Sequence, residues 1–331
     1  LGAALLSIWT VFGRPDASAL QMRPLTMEAS AHPIERFRIG SDQMRFGMLE
    51  FAGGLEIRAS SPHFGALSGL RFTEGQTDLT AIADTGFWLT ARVERDAANR
   101  PTGLTGATMT EMAGPQGAPF AGKWLADAEG LATDGEAILV SFEREHRITR
   151  YRRDQGEPIW LESARPPVST EGLGSNGGFE GIAVGAAGSA LAGALIGISE
   201  HGPRGSDSMI GFVAPAGQAP FAFSVRRSDG FSVTDLDVLP GGDIVLLERR
   251  FGLRRGVAMR LRRVDHRSVR PGARVDGNVL LEAGTGHQID NMEGLAITRD
   301  PDGVPRLTIV SDDNHALLQR TLMIEFRLIE P

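Results

Sequence analysis

Ala128-Glu129-Gly130-Leu131-Ala132, Phe179-Glu180-Gly181-Ile182-Ala183 and Met292-Glu293-Gly294-Leu295-Ala296 are one motif written three times. In each, a Glu-Gly pair opens a short apolar run, a turn follows, and a second apolar run ends in an acid. Two looser copies complete the series, Ser68-Gly69-Leu70-Arg71-Phe72 and Thr234-Asp235-Leu236-Asp237-Val238. Aligned on the glycine position they sit at 69, 130, 181, 235 and 294, which is 51 to 61 residues apart. That spacing is slightly longer than a usual four-stranded propeller blade, and self-similarity of this kind marks stacked units that cannot bury their faces alone.

The second runs align as well. Asp78–Asp84, Ala137–Glu143, Ala194–Glu200, Asp243–Glu248 and Leu307–Asp312 each close on an acid. The 42 Gly and 18 Pro lie between short β-type runs, the punctuation of turns in an all-β chain, and no sustained helical period occurs from residue 35 onward. Each unit reads as four strands; in the second they fall at 130–133, 137–142, 147–152 and 159–162. Residues 47–57 supply the outer strand of the last unit beside 321–329, which closes the ring and removes its open edges. The expected fold is an all-β β-propeller: five blades of four antiparallel strands around a central channel. A sixth blade has room in the less regular residues 20–60, and a β-sandwich, the other all-β option, does not predict a unit that recurs five times. Residues 1–19 read as a signal peptide, 20–46 as a lead-in and 47–331 as one propeller domain.

The chain of 331 residues has a net charge of −7 and a pI near 5.6, which gives no support for nucleic-acid binding. All but one of its 34 basic residues are Arg, Lys123 being the exception, and Arg is the better fork for phosphate or carboxylate. With no cysteine, disulfide, iron–sulfur and thiolate–zinc chemistry are excluded. Residues 3–12 are apolar and are followed by Gly13-Arg14-Pro15-Asp16 and the small-x-small pattern Ala17-Ser18-Ala19. This reads as a secretory signal, too short to span a bilayer, so the expectation is a periplasmic or secreted protein with no stable membrane insertion after signal removal. A segment of the fold, or an appended tag, is the competing reading.

In a propeller the start of the innermost strand and the end of the second lie at one face. Glu129, Glu180 and Glu293 hold the first position; Asp84, Glu143, Glu200, Glu248 and Asp312 hold the second. Eight carboxylates at one channel mouth repel one another and raise each other's pKa unless a cation intervenes. Hard oxygens in an irregular ring suit Ca²⁺, and Mg²⁺ less well because of its stricter geometry. The expected metal ligands are Glu129, Glu180 and Glu293 with Asp235, while Ser68 and Thr234 offer oxygens in the looser copies. Arg249, Arg250, His201 and His315 would receive an anionic group, and Glu200 or Glu143 would serve as general base beside His201. The bland alternative is that each Glu-Gly pair caps backbone N–H groups of the next blade, or that the acids hold a purely structural ion. Gly172-x-Gly174-x-x-Gly177 leads into a strand and is no dinucleotide site; no G-x-S-x-G, H-E-x-x-H or P-loop occurs.

The elements Ser68-Gly69-Leu70, Asp127-Ala-Glu129-Gly130-Leu131, Phe179-Glu180-Gly181-Ile182, Thr234-Asp235-Leu236, Leu239-Pro240-Gly241-Gly242, Leu247-Glu248-Arg249-Arg250-Phe251, Asn291-Met-Glu293-Gly294-Leu295 and Val310-Ser311-Asp312-Asp313-Asn314 occur in this order over roughly residues 60–325. In them the sequence resembles the bacterial phytase-like domain proteins labelled "esterase-like activity of phytase". The resemblance implies an exported propeller-like domain that hydrolyses phosphate or other esters. Propeller phytases bind several calcium ions along with substrate phosphate; this chain departs from them in its single Lys and in lacking a dense run of paired acids. Two functions follow as expectations: a calcium-dependent hydrolase of a small anionic ester, or a non-catalytic propeller that binds a ligand or protein partner around a structural calcium.

Overall fold

The computed structural model describes residues 23–72, 75–154, 157–252 and 256–329; the expected signal segment lies outside them. They form five sheets around a central axis, a five-bladed β-propeller. Blade 1 comprises Leu67–Phe72, Asp78–Ala83, Phe87–Arg95 and Pro101–Glu111, and blade 2 Ala128–Asp134, Ala137–Phe142, Arg147–Asp154 and Glu157–Ala164. Blade 3 comprises Gly181–Val184, Leu195–Ile198, Ser208–Ala214 and Phe221–Arg226; blade 4 has Ser232–Val238, Ile244–Gly252, Gly256–Val264 and Asn278–Ala283. Blade 5 is built from Asn291–Arg299, Pro305–Asp312 and Thr321–Leu328, with Leu49–Ala59 from the other end of the chain as its outer strand. That strand pairs antiparallel with Thr321–Leu328, from Thr321 opposite Ile57 to Leu328 opposite Leu49, so the ring closes as the sequence predicts.

Residues 23–46 do not form a sixth blade. Leu25–Thr26 adds to the outer edge of blade 1 and Ala29–Ile34 to that of blade 5, which shields two edges that would otherwise be open. No helix among the described residues is long and apolar enough to cross a membrane.

The alternating strands bury one face against each neighbouring blade. Leu70, Leu89, Met109, Val310 and Met323 pack in one such layer, and Leu247, Leu261, Leu295, Ile309 and Phe326 in another. At the axis the innermost strands approach so closely that side chains do not fit. A Cβ at Gly181 would stand 2.9 Å from the Leu236 backbone nitrogen, and one at Gly69 3.2 Å from the Glu129 carbonyl oxygen. This explains why four of the five repeats carry glycine there.

The exception is Asp235, and its carboxylate is matched to an arginine in the channel. Arg71, buried on the innermost strand of blade 1, donates through Nη1 to the Leu70 and Leu295 carbonyls at 2.6 and 2.5 Å. Through Nη2 it donates to the carbonyls of Ile182 and Leu236, both at 2.9 Å. Its Nη1 lies 3.3 Å from Asp235 and its Nε 4.0 Å from Asp237. The two carboxylates also accept backbone N–H groups across the blade boundary, Asp235 from Leu295 at 2.8 Å and Asp237 from Ile297 at 2.7 Å. One guanidinium thus joins the inner strands of four blades and closes the channel.

Removing one partner of a buried ion pair leaves the other charge uncompensated, at a cost of about 3–5 kcal/mol. Arg71→Met should lower the unfolding free energy in urea by that amount, while Arg71→Met combined with Asp235→Asn should recover part of the loss. Equal stability of wild type and the single variant would show that the plug is dispensable.

Candidate functional site

The strand register decides which side chains reach the channel mouth. In blades 1, 2, 4 and 5 the innermost strand carries a β-bulge, which sets Ser68, Glu129, Thr234 and Glu293 out of the ladder. Glu180 holds the equivalent place just before Gly181 in blade 3. Opposite these, the second strands bring Asp84, Glu143, Glu200, Arg249 and Asp312 to the mouth.

Blade 4 corrects the sequence reading. Glu248 pairs with Val233, the position held by Ser311 opposite Met292 in blade 5, so it turns into the blade and Arg249 takes the place of the acid. Glu248 is fully buried between Arg260 and Arg262, at 2.7 and 2.6 Å. The second run of blade 4 is therefore seven residues, 243–249, like those of blades 1 to 3, and it ends on a cation.

Seven carboxylates remain at the mouth. Asp84, Glu129, Glu143, Glu180, Glu200, Glu293 and Asp312 line a polar cavity of about 340 Å³ together with Arg249 and His201. Oxygens of Asp127, Glu129 and Glu143 lie within 4.8 Å of one another, as do those of Glu143, Glu180 and Glu200, so Glu143 belongs to both groups. Two full charges at that separation repel by about 3 kcal/mol at an effective dielectric constant near 20. Cations answer only the flanks: Lys123 contacts Asp84 at 2.6 Å, Arg144 contacts Asp127 at 2.5 Å, and Arg249 lies 2.9 Å from Glu293 and 3.8 Å from Glu200. Asn291 donates to Glu293 at 2.8 Å and bonds Arg249. The central Glu129 and Glu180 make no direct side-chain hydrogen bond or ion pair among the described residues; Lys123 and Arg144 act on Glu129, and Arg249 on Glu180, only at longer range. One Asp84 carboxylate oxygen is buried without a partner.

Several of these carboxyls bind protons more tightly than exposed ones do. Burial, reinforced by neighbouring carboxylates, raises Glu129 and Glu180 well above the usual range. Burial and Asp127 push Glu143 up to about 7. Burial carries Glu293 to about 8 despite the opposing Arg249, and Asp312 to about 6 despite the Asn314 backbone N–H. Glu200 is raised by burial, with His201 and Arg249 pulling against it.

The structure brings together Glu129, Glu180, Glu293, Glu143, Glu200, His201 and Arg249. It places Asp235 elsewhere, one layer deeper on Arg71, because it occupies the glycine position rather than the bulge. Ser68 and Thr234 turn their hydroxyls to the next blade, donating to the carbonyls of Ala128 at 2.7 Å and Met292 at 3.0 Å. His315 is exposed on the turn after Asp312 and lines neither the mouth nor the adjoining cavity. Arg250 faces that adjoining cavity, stacked 4.4 Å over the Phe231 ring. Asp127, Asn176, Asn291 and Asn314 were not expected at the site; Asp127 and Asn291 each stand two residues before a motif glutamate, which is the signal that could have found them.

The profile of the phytase-like family, described as "Esterase-like activity of phytase", matches residues 62–315. No curated protein matches the chain. Among solved structures, the PQQ-bound aldose sugar dehydrogenase of Streptomyces coelicolor is similar at 14% identity, covering 85% of this chain and 98% of that one, with a TM-score of 0.47. A gluconolactonase of Xanthomonas campestris is similar at 15% identity, covering 95% and 99%, with a TM-score of 0.39. The glutaminyl cyclase of Myxococcus xanthus is similar at 14%, covering 80% and 92%, with a TM-score of 0.39.

Carboxyls whose pKa is higher folded than unfolded make the folded state the greater proton binder between the ordinary Glu value of 4.5 and the raised value of about 8. Stability therefore falls as pH rises through that window. Melting in chelator should give a lower Tm at pH 8 than at pH 5, and calcium should restore most of the loss at pH 8. A Tm that is equal at both pH values in chelator would contradict the electrostatic account of the mouth.

Proposed function

We infer, from the premise that this chain belongs to the phytase-like family, that the mouth is a calcium-dependent hydrolytic site for a small anionic ester, a phosphate ester first. The observation that carries this reading is the pairing of Glu129 and Glu180, carboxylates without a direct partner, with Arg249 and His201 on the same cavity. The donor set fits calcium. It offers only hard oxygens, several to a group, in an irregular arrangement that the strict octahedron of magnesium suits less well. Glu129, Glu143 and Glu180 would hold the ion, with Glu293 at the edge of the set. When bound, calcium supplies Lewis acidity, polarising the ester oxygen or lowering the pKa of a coordinated water.

The remaining steps belong to the chain itself. Arg249 offers a planar fork to the anionic group, and its bonds to Glu293 and Asn291 hold it in place. Glu200, 3.1 Å from His201 Nε2, takes the proton from the attacking water; its raised pKa brings it closer to the working pH than an ordinary carboxylate. Ser232 fixes the His201 ring through Nδ1 at 3.0 Å. Arg71 bonds carbonyls of four inner strands below the cavity, so the mouth is the side from which substrate would enter. The apolar residues 3–12 and the small residues at 17–19 support export to the periplasm or medium.

Purified protein should hydrolyse 4-nitrophenyl phosphate in calcium and lose that turnover in chelator. Glu180→Gln should reduce the calcium-dependent rate at least a hundredfold while leaving the circular-dichroism spectrum intact. Unchanged activity in Glu180→Gln would sink the mechanism. Absence of turnover, together with a large calcium-dependent rise in Tm, would assign the acids to a structural ion in a non-catalytic propeller.

A further inference from the structure

A second cavity of about 800 Å³ opens beside the mouth, between blades 4 and 5, and the two are continuous: Glu200, His201, Arg249, Asn291 and Asn314 line both. Its far wall is apolar. Phe251 is 71% exposed, Ile39 58% and Leu318 95%, and Val257 and Ile289 lie behind them. These three are among only seven large apolar side chains exposed in the described residues, and they come from three distant parts of the chain. Isolated exposed apolar residues need no explanation, but several that converge on one concave surface mark a ligand site.

The near wall is cationic. Arg249 sits at the junction with the mouth, and Arg250 and Arg227 stand further in. Arg250 is partly answered, by the Asp229 carbonyl at 3.0 Å and by Glu282 at 3.6 Å. Arg227 donates to the Phe231 carbonyl at 2.9 Å and to Ser232 Oγ at 3.1 Å, yet no carboxylate among the described residues lies within ion-pair distance of it. Its charge therefore reaches the cavity without a direct ion pair, offset only at longer range by Glu200.

We propose that this cavity is the leaving-group subsite of the same reaction, and that the substrate is an amphiphilic ester: an anionic head held between Arg249 and Arg227, with an alkyl or aryl arm laid across Ile39, Phe251 and Leu318. The proposal rests on the hydrolytic reading of the mouth for its direction. The shared floor selects this occupant, because a ligand bridging both cavities must be charged at one end and apolar at the other. A purely polar ester leaves the Phe251 wall uncovered, and a purely apolar ligand leaves Arg227 without a direct anionic partner.

The test uses phosphonates, whose P–C bond cannot be hydrolysed, so that binding is read apart from turnover. Calcium-loaded protein is titrated calorimetrically with n-hexylphosphonate below its micelle concentration, with methylphosphonate and with hexanol. Hexylphosphonate should bind at least tenfold more tightly than methylphosphonate, and hexanol more weakly than hexylphosphonate. Phe251→Ser with Leu318→Ser, both exposed and safe for the fold, should bring the hexyl-to-methyl ratio near one. Arg227→Gln should weaken both phosphonates and keep the ratio. A ratio near one in the wild type, a ratio preserved in the double variant, hexanol binding as tightly as hexylphosphonate, or no binding of either phosphonate would each overturn the proposal. Calcium-dependent turnover of 4-nitrophenyl phosphate without chain-length preference would overturn the subsite and leave the hydrolytic reading standing.

Discussion

The Arg71 guanidinium is the contact on which the rest of the propeller depends. Five inner strands converge on one axis, and below the glycine layer carbonyls of four of them turn toward it. Arg71 answers four of those carbonyls at once, and a guanidinium is the one side chain with enough donors in a plane to do so. Burial works against its charge, and Asp237 and Asp235 outweigh that cost. Both acids in turn accept amides from blade 5, so the plug ties the fourth and fifth blades together as well as closing the channel.

Closure below allows specialisation above. Five equivalent positions, four of them bulges, could have carried five equivalent side chains, but they do not. At two of them a hydroxyl staples one blade to the next, Ser68 to Ala128 and Thr234 to Met292. At the other three a glutamate turns to the mouth. Blades 1 to 3 contribute Asp84, Glu129, Glu143 and Glu180, a concentration of negative charge that its own surroundings answer only at the edge. Blades 4 and 5 contribute Arg249, Asn291 and, through the adjoining cavity, Arg250, together with the acids Glu293 and Asp312 of blade 5. The ring thus seeks a cation over most of its circumference and can receive an anion at Arg249.

Fold and site differed in how much of them could be read from the sequence, for physical reasons. The blades were legible because each inner strand must present a small residue at the axis, which prints glycine at a regular period. Closure by residues 47–57 was legible because the last unit otherwise lacks an outer strand. Blade 4 misled because Glu248 imitates the terminal acid one residue early; the length of the equivalent runs, counted from their turns, points to Arg249 instead. Asp235 reads as a mouth ligand by its carboxylate, yet it stands in the glycine column. Arg71 carried its own signal, the one basic residue among positions held elsewhere by Ala132, Ala183, Asp237 and Ala296. The apolar cavity wall had no such signal. Ile39, Phe251 and Leu318 obey no period and meet only through the closure of the ring.

Arg249 also bears on what the acids are for. A guanidinium 2.9 Å from Glu293 eases the repulsion among the acids, but it also weakens the pull of the mouth on a cation. The fold has a cheaper neutral choice at hand, as the hydroxyls at the equivalent inner positions show. An anion that bridges metal and guanidinium reverses the sign of the problem: each cation then supports the binding of the ligand to the other. The cation at 249 is thus at odds with a purely structural mouth and in accord with one that receives a negatively charged group.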